Sequence, residues 1–123
     1  MEEVYIYKEK SWEWIENRED SDVLFNGKYL FFSSDRGLLK RIARQEISQH
    51  GFTCAKVRIN PEKIKNEYAL HIYHSDNNRE AELTVRYAKK KNVRYIGWIG
   101  DTLEIKELFD KMCIYKKEGL PIR

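Results

Sequence analysis

Hydrophobic and polar positions along this chain follow two rhythms that alternate. Residues 28–34 and 52–59 carry β-forming runs, and between them residues 35–50 place Leu38, Leu39, Ile42, Ala43 and Ile47 on one helical stripe. Ser34 or Asp35 is suited to cap that helix, and Gly51 to stop it. The same order returns further on. Residues 68–74 alternate Tyr68, Leu70 and Ile72 against Ala69, His71 and Tyr73. Residues 76–91 follow as a helix capped by Asp76, with an expected core face of Ala81, Thr84, Val85 and Ala88 and a stop at Asn92. Residues 93–99 then read as a strand. Tyr29 and Phe31 oppose Leu30 and Phe32, so the 28–34 strand is apolar on both faces and expected to be central.

The flanks are shorter and less regular. Residues 4–7 read as a first strand, Ser11 as the cap of a short helix carrying Trp12, Trp14 and Ile15, and residues 17–22 as a polar loop. Asn26-Gly27 marks a turn. Asp101 and Glu104 make a capping-box-like start for a last helix with Leu103, Leu108 and Met112. Two βαβ units in series predict one α+β domain over residues 1–123, a single mainly antiparallel sheet with its helices on one face.

Composition narrows the class. With 41% hydrophobic and 35% charged residues in 123, the chain is globular and sized for one core. A net charge of +3 is too small to announce a nucleic-acid binder, so the local distribution of cations has to decide. Cys54 and Cys113 are far apart in sequence and lack metal-ligand spacing, as suits two buried thiols of a cytoplasmic protein. No stretch is apolar enough to span a bilayer, and the acidic start is unlike a signal peptide, so no membrane partner is expected.

Few residues suggest chemistry. Lys56 and Arg58 stand two apart on a strand and share a face, which suits a phosphate or carboxylate, though strand cations most often only decorate the solvent side. His71 is the best-placed titratable group, with Tyr73 on its face, yet no Ser or Asp spacing accompanies it, which favours a structural or surface histidine. His50 and His74 belong to a helix end and a strand end, and the three histidines make no metal site. Arg86, Lys89, Lys90, Lys91 and Arg94 form the densest basic run, readable as a solvated helix end or as a phosphate-contacting surface. Trp98, set between Gly97 and Gly100, is the first choice for an aromatic that stacks on a ligand, against the reading that all three Trp are core and rim packing.

Four fragments carry a family likeness: Gly27-Lys28-Tyr29-Leu30, Ala55-Lys56-Val57, Ile72-Tyr73 with Asp76, and Trp98 with Asp101-Thr102. In their order and spacing, over residues 27 to 102, the chain resembles the family that includes basophilic leukaemia-expressed protein. The resemblance implies a fold like that of the cap-binding translation initiation factors. It also implies a distant relation to phosphothreonine lyases, which use a lysine base and a histidine acid. Lys56 falls on the lysine-bearing strand, but Leu30 stands where the acid would be and cannot donate a proton, leaving His71 as the sole substitute.

The leading expectation is a non-enzymatic domain that binds a phosphorylated ligand, a nucleotide or single-stranded RNA, on an open sheet face through Lys56, Arg58, His71, Tyr73 and Trp98. A protein-interaction module or small inhibitor is the alternative, since Tyr, Trp and Arg are enriched at interfaces. A lyase is disfavoured; Lys56 and His71 are not expected to converge in a pocket. No catalytic residue, cofactor or metal is expected.

Overall fold

The computed structural model describes residues 4–17 and 25–100. They form six strands and two helices: β1 (Tyr5–Glu9), β2 (Trp12–Glu16), β3 (Gly27–Ser33), α1 (Arg36–His50), β4 (Cys54–Arg58), β5 (Tyr68–His74), α2 (Glu80–Tyr87) and β6 (Arg94–Gly100). The strands make one sheet in the order β1-β2-β4-β5-β3-β6, with every neighbouring pair antiparallel. The expected α+β class and the two βαβ units are thus present, and the units interlock. β3 and β4 are separated by β5, while β5 and β6 are separated by β3, so each crossover helix spans one intervening strand, the split βαβ arrangement. The β1–β2 hairpin extends the sheet beyond β4.

Helix α1 forms where the 3.6-residue stripe predicts it. Asp35 Oδ1 accepts the Leu38 amide at 3.1 Å, and Gly51 closes the helix at φ 79°, a left-handed conformation glycine adopts without a Cβ penalty. Asp35→Ala is expected to lower stability by about 1 kcal/mol, read as a shift in urea midpoint with unchanged slope. Leu39, Ile42, Ala43 and Ile47 pack on Ile15, Ala55, Val57, Leu70, Ile72, Tyr29 and Phe31 from the strands. Helix α2 is shorter than its periodicity predicts. Asp76 instead accepts the Asn78 amide in a turn, and the helix begins at Glu80. Its buried face is Leu83 and Tyr87, while Val85 is 86% exposed and Ala81, Thr84 and Ala88 face solvent. In eight residues two large side chains set the phase, because they bury more apolar area than two alanines.

The N-terminal aromatic segment also departs from expectation. Residues 12–16 are strand β2, not a helix, paired with β1 and β4. Glu13 and Ile15 face the helices, and Trp12, Trp14 and Glu16 share the other face. Glu13 is buried and accepts from Arg36 at 2.5 Å and Lys40 at 3.2 Å, fastening α1 to β2. Burial alone would raise its carboxyl; those two hydrogen bonds outweigh burial and hold it below the usual carboxylate range. The expected final helix, Cys113 and most of the 17–22 loop lie outside the described residues. Among the described residues no helix is long and apolar enough to cross a membrane.

Candidate functional site

With both helices on one face, the other face of the sheet is built by the alternate residues of each strand. Three rows of side chains cross it. One row runs Trp14, Lys56, His71, Leu30, Gly97, each the registered partner of the next. A second runs Glu16, Cys54, Tyr73, Lys28, Ile99. The third begins with Trp12 opposite Arg58 and ends with Ala69, Phe32 and Arg94.

Lys56, Arg58, His71 and Tyr73 are therefore brought to one face, as their period-2 spacing predicts. Lys56 and His71 are registered partners across β4 and β5. Tyr73 is on that face but only 3% exposed, covered by Trp14 at 6.0 Å and Phe25 at 5.6 Å, so its ring offers no open surface.

Trp98 is the clear correction. It pairs with Tyr29 and lies on the helix face, its ring 4.9 Å from that of Tyr29. The cause is a bulge in β6. The register shifts between the partners of Leu30 and Phe31, and Ile96 is left over, so Trp98 falls on the face opposite Arg94. Gly27 is shaped to that ring as well: a Cβ there would sit 2.5 Å from Trp98 Cζ2. The small residues around Trp98 serve packing.

Trp12, expected on a helix, is the partly exposed tryptophan of this face. Its ring lies 4.8 Å from the His71 ring, with the Lys56 ammonium 4.1 Å from its centroid and the Arg58 guanidinium 5.5 Å away. The Lys56 ammonium also lies 5.2 Å from Trp14 and 5.7 Å from Tyr73, a three-ring cage that fixes its position. Trp12 is partly exposed, and so are Arg58, His71 and Lys28. The signal that finds it is the alternation Trp12, Trp14 against Glu13, Ile15, which reads as a strand once the helix cap at Ser11 is set aside.

His71 is electrostatically unusual. Burial, and then the charges of Lys28, Lys56 and Arg58, push its pKa down to about 2, so the ring is neutral at physiological pH. Its Nδ1 is fully enclosed and has no hydrogen-bond partner. An unsatisfied lone pair is tolerated better than an unsatisfied N–H, which assigns the proton to Nε2. The face thus offers a neutral N–H donor among three cations.

The other basic residues disperse. Arg86 is engaged by Glu46 and Glu82, and Arg94 forks onto Glu67 at 2.7 and 3.2 Å, while Lys89, Lys90 and Lys91 are exposed in the turn after α2. Glu46, His50 and Glu82 could converge on a metal ion. Arg86 already neutralises both carboxylates, and Arg79 bonds Glu82 and the His50 carbonyl, so that cluster is satisfied without a metal.

No family model, curated protein or solved structure matches the chain.

Proposed function

We propose that this protein is a non-enzymatic binding domain for a phosphorylated ligand with a flat ring, a nucleotide unit, held on the sheet face at Trp12, Arg58, His71 and Lys28. The observation that carries the reading is the contact set around Trp12: a partly exposed indole bordered by Arg58 and by a neutral imidazole. The indole supplies a stacking surface and Arg58 a planar fork for a phosphate. Lys28 and the caged Lys56 add positive potential, and among the described residues neither Lys28 nor Arg58 is engaged in an ion pair.

An elimination reaction fits the site less well, although Lys56 and His71 stand side by side. A leaving oxygen needs a proton, and an imidazole held neutral down to about pH 2 has no readily given proton at pH 7. Leu30, registered directly opposite His71, is where the resemblance would put the acid. A protein-interface reading has less support: the exposed large hydrophobics are spread over β1 (Tyr5, Ile6), the β4–β5 connection (Ile64), α2 (Val85) and β6 (Ile96, Ile99), and scattered exposed apolar residues are ordinary.

Calorimetric titration with nucleoside 5′-monophosphates at low salt tests the proposal. Trp12→Ala and Arg58→Ala are each expected to weaken binding roughly tenfold or more, since base stacking on an aromatic is worth about 1–3 kcal/mol. Trp98→Phe should leave affinity unchanged. Wild-type protein that binds no nucleotide below about 1 mM would end this reading.

A further inference from the structure

Trp12 and Arg58 lead a line of side chains that continues across the sheet. In the third row Ala69 and Phe32 are registered partners, and so are Phe32 and Arg94. From Trp12 on β2 to Phe32 on β3 the line crosses three strand spacings, about 14 Å. Arg58 and Ala69 stand just past the last registered β4–β5 pair, Val57 with Leu70, and Ala69 sets only a methyl beside Phe32.

At its far end the line meets a second flat surface. The Arg94 guanidinium lies over the Phe32 ring at 5.2 Å and is forked onto Glu67, while its side chain remains 48% exposed. Glu67 neutralises much of its charge and locks its plane, leaving a rigid plate of the kind on which bases stack. Beside it opens a cleft lined by Phe32, Glu62, Ile64, Lys65, Glu67 and Arg94. Lys65 is exposed there and brings a cation to the rim.

We infer that the face binds a single-stranded polynucleotide laid across the strands, one base on Trp12 and another on the Phe32–Arg94 plate, with Arg58 and Lys65 contacting the phosphates. The inference rests on the reading of the Trp12 site given above and extends it from one nucleotide to a run. Charge complementarity selects this occupant: between the two flat surfaces the row carries Arg58 and, in the next row, Lys56 beside the neutral N–H donor of His71, with no carboxylate on β4, β5 or β3 of this face. The span equals that of a four-stranded sheet, on which RNA-recognition domains stack two or three bases.

The test compares a nucleoside 5′-monophosphate with RNA and DNA oligonucleotides of about eight residues, within the footprints of single-strand binders, at about 50 mM salt. The oligonucleotides are expected to bind at least about tenfold tighter than the mononucleotide, the gain from one further stacked base. Arg94→Ala combined with Lys65→Ala should erase that gain and leave mononucleotide affinity unchanged. Both positions are exposed and the Arg94–Glu67 pair is a surface one, so the fold should tolerate the change, checked by thermal melting. Equal affinity for mononucleotide and oligonucleotide, or an oligonucleotide gain that survives the double substitution, overturns this inference and leaves the Trp12 site standing. Absence of mononucleotide binding overturns both. The RNA and DNA arms then show whether the sugar is read.

Discussion

Glu46→Ala is expected to destabilise the fold by about 3–5 kcal/mol, the range for removing one partner of a buried ion pair. Glu46 sits on the core stripe of α1 with no exposed surface. Its carboxylate accepts from Arg86 at 2.5 and 3.0 Å and from the Tyr87 hydroxyl at 2.5 Å, all from α2. Burial and the Glu46 hydrogen bond both raise the Tyr87 phenol, which stays a donor. Arg86 is three-quarters covered, so losing Glu46 strands a cation between the helices with only Glu82 to answer it. The network, with the Arg79 hydrogen bond to the His50 carbonyl, joins α2 to α1, while α2 touches the sheet mainly at β6. Urea denaturation reads the loss directly. Replacing the pair together, Glu46→Leu with Arg86→Met, should recover most of it, since an apolar pair of similar volume avoids the desolvation penalty. A single substitution that shifts stability by less than about 1 kcal/mol would show that the network is solvated in solution.

Much of the architecture is legible in the sequence because it rests on long periodic segments. The α1 stripe and the β5 alternation recur over enough residues that no other phase buries the same apolar area: β5 runs from Tyr68 to His74, and α1 from Arg36 to His50 behind its Asp35 cap, both as their patterns predict. Short segments lack that redundancy. Trp12–Glu16 offers a helix cap and first-turn acids as well as a period-2 alternation, and pairing with two neighbouring strands decides for the strand. The phase of α2 escapes the pattern for the same reason. Glu46 is invisible as a core residue in the sequence, because only its partners Arg86 and Tyr87, 40 and 41 residues away, make its burial tolerable.

The candidate site divides along the same line. Lys56, Arg58 and His71 can be assigned to one face because strands β4 and β5 are regular, so sequence parity gives the face. Trp98 defeats that parity because one bulge residue inverts it for everything that follows in β6. Trp12 is hidden by the ambiguity of its element, and its closeness to His71, Lys56 and Arg58 is a product of sheet order, which places β2 beside β4. Local sequence does not encode that adjacency.

The second large effect is a loss of stability in acid that originates at the site itself. His71 has a folded-state pKa pushed from 6.5 down to about 2, by burial first and then by Lys28 on β3 and Lys56 and Arg58 on β4. The unfolded chain takes up a proton near pH 6.5, whereas the folded chain does not. The contribution is therefore complete above pH 6.5 and is lost as pH falls below it, by about 1.4 kcal/mol per unit. Between pH 7.5 and 4.5 the wild type should lose about 2.5–3 kcal/mol more than His71→Gln, whose amide keeps polarity without titrating. Taking the difference between the two proteins removes the carboxylates and the other histidines, which titrate alike in both. A difference that does not change with pH would mean that His71 is protonated in the folded protein and that the cations around it are screened. The same measurement with nucleotide present bears on function. A phosphate set among Lys28, Lys56 and Arg58 offsets the charges that oppose the imidazolium, so bound ligand should shrink the acid-dependent difference, whereas a ligand bound elsewhere on the protein should leave it intact.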